Sequence, residues 1–228
     1  MIPLGDSPRL RKPSVITPLL ILINLGVYLY MIFGGHSFSF YIARWGVVPS
    51  QINKAFLSLP VISPVFWTLI TSIFVHGGLW HFIGNMLFLW VFGDNVEDRL
   101  GKILFLLFYL LGGFFAFLAQ FLQNPGSLVP LIGASGSVSA VMGAYIYLYP
   151  SASVVTMIPI FFVPIILNIP AFYFLLFWFG NQILNASLGT LGVGWLAHIG
   201  GFVFGILFAV VFFSKRRRSG QGEIIFPR

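Results

Sequence analysis

Long stretches of this sequence run without a charged side chain, and that feature constrains the fold more than any other. Val15–Phe33, Ile103–Leu122 and Trp195–Phe213 are each apolar over about the 20 residues that a helix needs to cross a hydrocarbon layer. Only 7% of the 228 residues are charged and 58% are hydrophobic, with a mean hydropathy of +0.98. A soluble domain carries about 25% charged residues. Twelve Lys and Arg, five Asp and Glu and four His do not cover a water-soluble globule of this size. An ordinary cytosolic enzyme, a disordered chain and a nucleic-acid binder are thereby excluded. The pI near 10 reflects scarce acids rather than a basic patch. The absence of Cys removes disulfides, thiolate catalysis and Cys-ligated metals. The expectation is an all-α polytopic membrane protein.

Six spans are predicted: about 15–33, 79–92, 103–122, 133–150, 169–186 and 195–213. Pro159, Pro164 and Pro170 break the apolar region 154–186, so its helix is placed in the second half. Every Lys and Arg except Arg44 and Lys54 then falls on one side. The positive-inside rule makes that side cytoplasmic and puts both termini there. The chain divides into a cytoplasmic segment 1–14, a membrane domain 15–213 and a basic tail 214–228 whose Lys215–Arg218 run contacts anionic lipid. Residues beyond the run, 219–228, are expected to be mobile. The first apolar run reads as a retained helix rather than a signal peptide. The Phe40–Phe66 loop is apolar yet interrupted by Pro49, Pro60 and Pro64, so it is expected to lie in the interface or fold back on the bundle. The compact form suits a prokaryotic plasma membrane. Oligomeric state is left open.

Ionisable groups inside a membrane are costly and face the bundle interior. All five acids (Asp6, Asp94, Glu97, Asp98 and Glu223) are assigned to cytoplasmic segments. That excludes an intramembrane aspartyl pair, an HExxH zinc site and a Ser-His-Asp triad with its acid near the outer face. The polar groups singled out within the spans are His81 and Asn85 in the second, Ser135, Ser137 and Ser139 in the fourth and His198 in the sixth. All three spans run inward, so His81, Asn85, Ser135 and His198 fall within roughly 10 Å of the outer boundary.

His81 and Asn85, four apart, share one helix face. Ser135 lies in Gly133-Ala134-Ser135-Gly136, where glycines permit a tight turn into a helix. The unpaired N–H groups and dipole of a helix start favour a developing anion. A neutral His at the same depth can take the serine proton, and two side-chain donors can complete an oxyanion hole. Each feature alone has a plainer reading. Gly133–Gly136 resembles a close helix contact, Gly201-Phe202-Val203-Phe204-Gly205 is read as one, Asn85 can bridge helices and His198 can be a packing residue. The shared depth of the three is what favours chemistry.

His76-Gly77-Gly78-Leu79-Trp80-His81-Phe82-Ile83-Gly84-Asn85 resembles the HxxxxHxxxN motif of rhomboid intramembrane serine proteases. Gly133-Ala134-Ser135-Gly136 is similar to that family's GxSG, Ala197-His198-Ile199-Gly200-Gly201 to its AHxxG, and Glu97-Asp98-Arg99 to its ExR. The resemblance covers about residues 15–213 and implies a six-transmembrane-helix bundle with an interfacial first outer loop. It implies Ser135 as nucleophile, His198 as general base and acid, and His81, Asn85 and the Ser135 N–H as oxyanion stabilisers. It implies transmembrane protein substrates cleaved near the outer face, contact with membrane lipids, and no metal or organic cofactor. The fifth helix and the loop above the helix cluster are the implied gate and cap. Two positions depart from common family patterns. Trp67 is followed by Thr68 rather than Arg, and Ser139 stands where some members place an aromatic under the catalytic His, so the orientation of the His198 ring is left open. The rival classes are a catalytically silent rhomboid-like binder of membrane clients, whose relatives are expected to lack part of the dyad, and a small-solute channel or transporter.

Overall fold

The computed structural model describes residues 1–8, 10–58, 63–160 and 163–218, with the side chains of 58 and 215–218 excepted. The expectations placed on Arg9, Pro60, Glu223, Arg228 and the tail 219–228 lie outside the described residues, as does any lipid contact of the Lys215–Arg218 side chains. Six long helices occur near the predicted spans: α1 (Ile16–Phe33), α5 (Leu79–Leu100), α6 (Lys102–Gln123), α7 (Ser135–Leu148), α8 (Ala171–Ser187) and α9 (Trp195–Arg218). Among the described residues, three are long and apolar enough to cross a membrane by themselves: α1, α6 and α9 over Trp195–Ser214. A fourth candidate joins Pro64–Phe74 to α5 through a 79° bend. The central helix α7 has 14 residues and is buried from Gly136 through Tyr145. Small residues make that possible. A methyl group on Gly143, Gly201 or Gly205 would collide with a backbone carbonyl oxygen of the facing helix, at Phe202, Gly136 and Ala140 respectively. The same substitution at Gly112 of α6 or Gly136 of α7 would strike Ala140 or Ala116. The α6, α7 and α9 backbones therefore touch, as small-residue contacts in membranes allow.

The second helix continues beyond its predicted end at Phe92 to Leu100, so Asp94, Glu97, Asp98 and Arg99 are helical rather than loop residues. Their task explains the extension. The buried Glu97 carboxylate accepts the N–H groups of Val15, Ile16 and Thr17 at 2.8–2.9 Å and the Thr17 hydroxyl at 2.9 Å. The unpaired donors at the start of α1 are thus satisfied by an anion, which the helix dipole also favours. Asp98 accepts from the Lys12 N–H at 3.1 Å and pairs with Arg11 at 3.1 Å. Gly101, at φ +81°, is the single residue between α5 and α6.

The all-α expectation needs correction. The chain is mainly helical, but β1 (Ile2–Asp6), β2 (Ser153–Ile160) and β3 (Val163–Pro170) form an antiparallel sheet in the order β1-β2-β3. Pro159 faces Pro164 across the β2–β3 ladder and Pro170 ends β3. The prolines break a helix as predicted, and the β-branched residues between them pair as strands. Ile2 pairs with Met157 and Asp6 with Val154, so β1 runs beside β2. Met1 borders a cleft with Phe174, Trp178 and Gln182 of α8. Asp6 is anchored by the Tyr145 hydroxyl of α7 and by Asn95 of α5, whose Nδ2 donates at 2.8 Å.

Residues 34–58 and 63–74 fold back on the bundle through α2 (Phe38–Trp45), α3 (Pro49–Ser58), a 3₁₀ turn at Pro64–Trp67, α4 (Thr68–Thr71) and a second 3₁₀ turn at Ser72–Phe74. Val47 bridges Leu131, and Thr71 donates its hydroxyl to the Trp45 carbonyl at 2.8 Å. Ile52 is fully buried, which fixes this layer against the 129–134 segment before α7.

Replacing Glu97 by Ala leaves several buried donors at the start of α1 without an acceptor. Chemical unfolding in detergent should register a loss of about 2–4 kcal/mol. Burial, with Asp94 nearby, raises the Asp6 carboxyl from 3.8 to about 7. The folded state therefore holds a proton that the unfolded chain releases. The stabilisation is complete below pH 3.8 and is lost as pH rises through about 7. Asp6→Asn should flatten the slope of melting temperature against pH in that window.

Candidate active site

Three helices begin at the same end of the bundle, and their first two turns carry the residues singled out from the sequence. Ser135 is the first residue of α7. It follows Gly133, whose φ of +107° belongs to the left-handed region and whose N–H donates to the Ser72 carbonyl at 2.9 Å. This bend delivers the chain into α7 with Ser135 amid the unpaired N–H groups of a helix start. His198 stands in the first turn of α9, which begins at Trp195. Ser135 and His198 line one cavity with Ser72, Gly133, Gly136 and Ala197. The contact of Gly201 with the Gly136 carbonyl, close to both side chains in sequence, holds the two helix starts at that separation. Their side chains are not hydrogen-bonded to each other. Such bonds are commonly long without substrate and tighten in the reacting complex.

His81 and Asn85 do not line the cavity directly. They reach its wall at Gly133, where an added methyl would come 2.6 Å from His81 Nε2 and 3.7 Å from Asn85 Nδ2. His81 Nδ1 accepts a long 3.5 Å bond from the Gly77 N–H, which favours the proton on Nε2, the nitrogen nearest Gly133. Asn85 is buried and spends one Nδ2 proton on the His81 carbonyl at 2.9 Å. His76 is fully buried with its ring 5.2 Å from that of His81.

The orientation of His198 has a source that the sequence reading passed over. Its Nδ1 lies 2.8 Å from Oε1 of Gln182 on α8. Trp178 and Trp195 flank the ring at 6.1 Å between centroids. Ser139, one turn after Ser135, instead donates back to the Ser135 carbonyl at 2.6 Å. The available signal for Gln182 was an amide in a largely apolar span, the kind of group that is rarely idle in a membrane, although Asn181 and Asn185 of the same span offer the same signal. Among the described residues, no group of three His, Asp or Glu is placed to hold a metal ion.

A family model for the Rhomboid domain matches residues 63–215, and the chain belongs to the rhomboid family. It is similar to RHOMBOID-like protein 12, mitochondrial, of Arabidopsis thaliana, at 34% identity over 59% of this chain and 43% of the relative. It is also similar to Presenilin-associated rhomboid-like protein A, mitochondrial, of Danio rerio, at 30% identity over 71% of this chain and 42% of the relative. Rhomboid protease GluP of Bacillus subtilis is 39% identical over 36% of this chain and 16% of the relative. The matches span less than half the length of these relatives. Family and helices together make the chain an integral membrane protein.

Gly133→Ala tests the bend before Ser135. The added methyl is strained at φ +107° and presses on the His81 ring. Chemical unfolding in detergent should register a loss of about 1–3 kcal/mol, the scale of a non-glycine residue held in an unfavourable backbone region, while the protein still elutes as a folded species.

Proposed function

We propose that the protein is an intramembrane serine endopeptidase that cleaves transmembrane segments of other membrane proteins near the outer face through Ser135 and His198. The observation that carries this reading is the cavity shared by a serine at an unpaired helix start and a histidine from the neighbouring helix. Family membership supports it, as do the printed names of the Bacillus subtilis relatives Rhomboid protease GluP and Putative rhomboid protease YdcA.

In the proposed reaction Ser135 Oγ attacks a substrate carbonyl carbon while His198 Nε2 takes the hydroxyl proton. The oxyanion is met by the Ser135 N–H, His81 and Asn85, and the helix start favours its charge. His198 then gives the proton to the leaving amine as the C–N bond breaks. Water, deprotonated by the same nitrogen, hydrolyses the acyl ester and releases Ser135. Reaction needs water at membrane depth, which the polar wall at Ser72 and the opening of the cavity would admit.

The same proposal takes residues 15–213 as the membrane domain, flanked by 1–14 and 214–228, with all six long helices as spans. Helix α7, at 14 residues, is about 21 Å long against a hydrocarbon core of about 30 Å. Its short length would set Ser135 below the membrane surface. The basic residues beside α1, α5, α6 and α9 support cytoplasmic termini. A plasma (inner) membrane location belongs to this proposal too, as do transmembrane protein substrates and bilayer lipids as the partners.

Fluorophosphonate labelling and cleavage of a reconstituted transmembrane substrate should both vanish in Ser135→Ala and His198→Ala with the fold intact. Asn85→Ala should lower the cleavage rate about 10²–10³-fold. Retained cleavage by purified Ser135→Ala would falsify the nucleophile assignment.

A further inference from the structure

Gln182 is 5% exposed on α8, a helix whose described residues otherwise bury only Ala171, Phe174 and Leu175. Its amide is held at both ends. Nε2 donates to the Trp178 carbonyl at 3.0 Å, one turn back, so Oε1 is the atom left to face His198 Nδ1 at 2.8 Å. An amide oxygen only accepts, so the proton of a neutral His198 ring belongs on Nδ1. Nε2, on the opposite edge, is then a bare lone pair without a partner among the described residues. That is the form a general base must have before it can take a proton.

We propose that Gln182 is the positioning residue of the reaction: from α8 it fixes the His198 ring and holds it in the Nδ1–H tautomer, leaving Nε2 to serve Ser135. This rests on the serine-histidine reading above. In the serine-protease triad an acidic side chain fills this role and also stabilises the imidazolium. A neutral amide orients the ring without adding that charge. Ser139, which points its hydroxyl back at its own helix, leaves the role vacant. The direction of the Gln182 amide is set by the Trp178 carbonyl, so the tautomer follows from a backbone atom of α8 rather than from any titrating neighbour.

The test compares Gln182→Met, which removes the acceptor at similar length, with Gln182→Glu, which keeps it. Both are measured in detergent with a fluorogenic transmembrane substrate across pH. Imidazole ¹⁵N shifts are assigned to His198 by difference from His198→Ala. The wild type should show a protonated Nδ1 and an unprotonated Nε2. Gln182→Met should mix the tautomers and lower kcat about tenfold or more with KM within twofold. Gln182→Glu should recover most of kcat and move the acid limb of kcat/KM upward by about one pH unit, because a carboxylate favours the imidazolium. A folded Gln182→Met with wild-type kcat and pH profile overturns the proposal, and so does a wild-type spectrum with the proton on Nε2. The ¹⁵N readout needs no turnover. A correct tautomer in a protein that neither labels nor cleaves would fail the protease reading instead.

Discussion

The backbone of α9 rests on the backbone of α7, and the remaining architecture depends on that contact. Lipid offers no hydrophobic drive for helices to associate, so close van der Waals approach and hydrogen bonds must supply it. Gly143, Gly201 and Gly205 remove the side chains that would keep the two axes apart. The approach has a second effect. Two helices that start at the same end and touch near Gly136 and Gly201 cannot separate their first turns by much. The relative placement of Ser135 and His198 is therefore a property of the rigid centre of the bundle, whereas His81 and Gln182 are brought in from α5 and α8 on either flank.

At the opposite end an ionic arrangement does the equivalent work for α1. Glu97 and Asp98, adjacent on α5, take nearly every polar group at the entry of α1. A buried carboxylate is tolerated when it accepts several hydrogen bonds, and here the charge also lies on the axis of the helix it caps. Arg99, next in sequence, lies over the Phe213 ring at 5.5 Å, so one turn of α5 contacts both α1 and α9. The ExR-like triplet acts as a structural clamp remote from Ser135.

The helices and the residues of the candidate site were legible because membranes allow few alternatives. Apolar length reveals a helix, and a polar side chain in such a helix stands out at once. His81, Asn85, Ser135 and His198 were found on that basis, and the structure gathers them at one end. The sheet was hidden because an apolar β-branched run broken by proline reads equally as loop or strand until its partner is known, and the partner of β2 lies at the far start of the chain. Helix α5 was read short because Asp94, Glu97 and Asp98 look like loop residues until the donors of α1 are set against them. Gln182 was missed for a related reason. Its importance lies in a contact 16 residues away, with the ring of His198, and no local pattern announces that contact.

The pairing of β1 with β2 also has a consequence for biosynthesis. Asp6 and its partner Tyr145 are 139 residues apart, so the first strand is made long before anything exists to receive it. At about 5–20 residues per second it waits on the order of ten seconds with its edges unpaired while α1, α5, α6 and α7 are synthesised. Closure of the sheet is then a late, non-local event, following the early helical contacts rather than guiding them. Correct insertion of the preceding helices thus becomes a condition for β1 to find its place, and the strand acts as a seal on an assembly already largely complete.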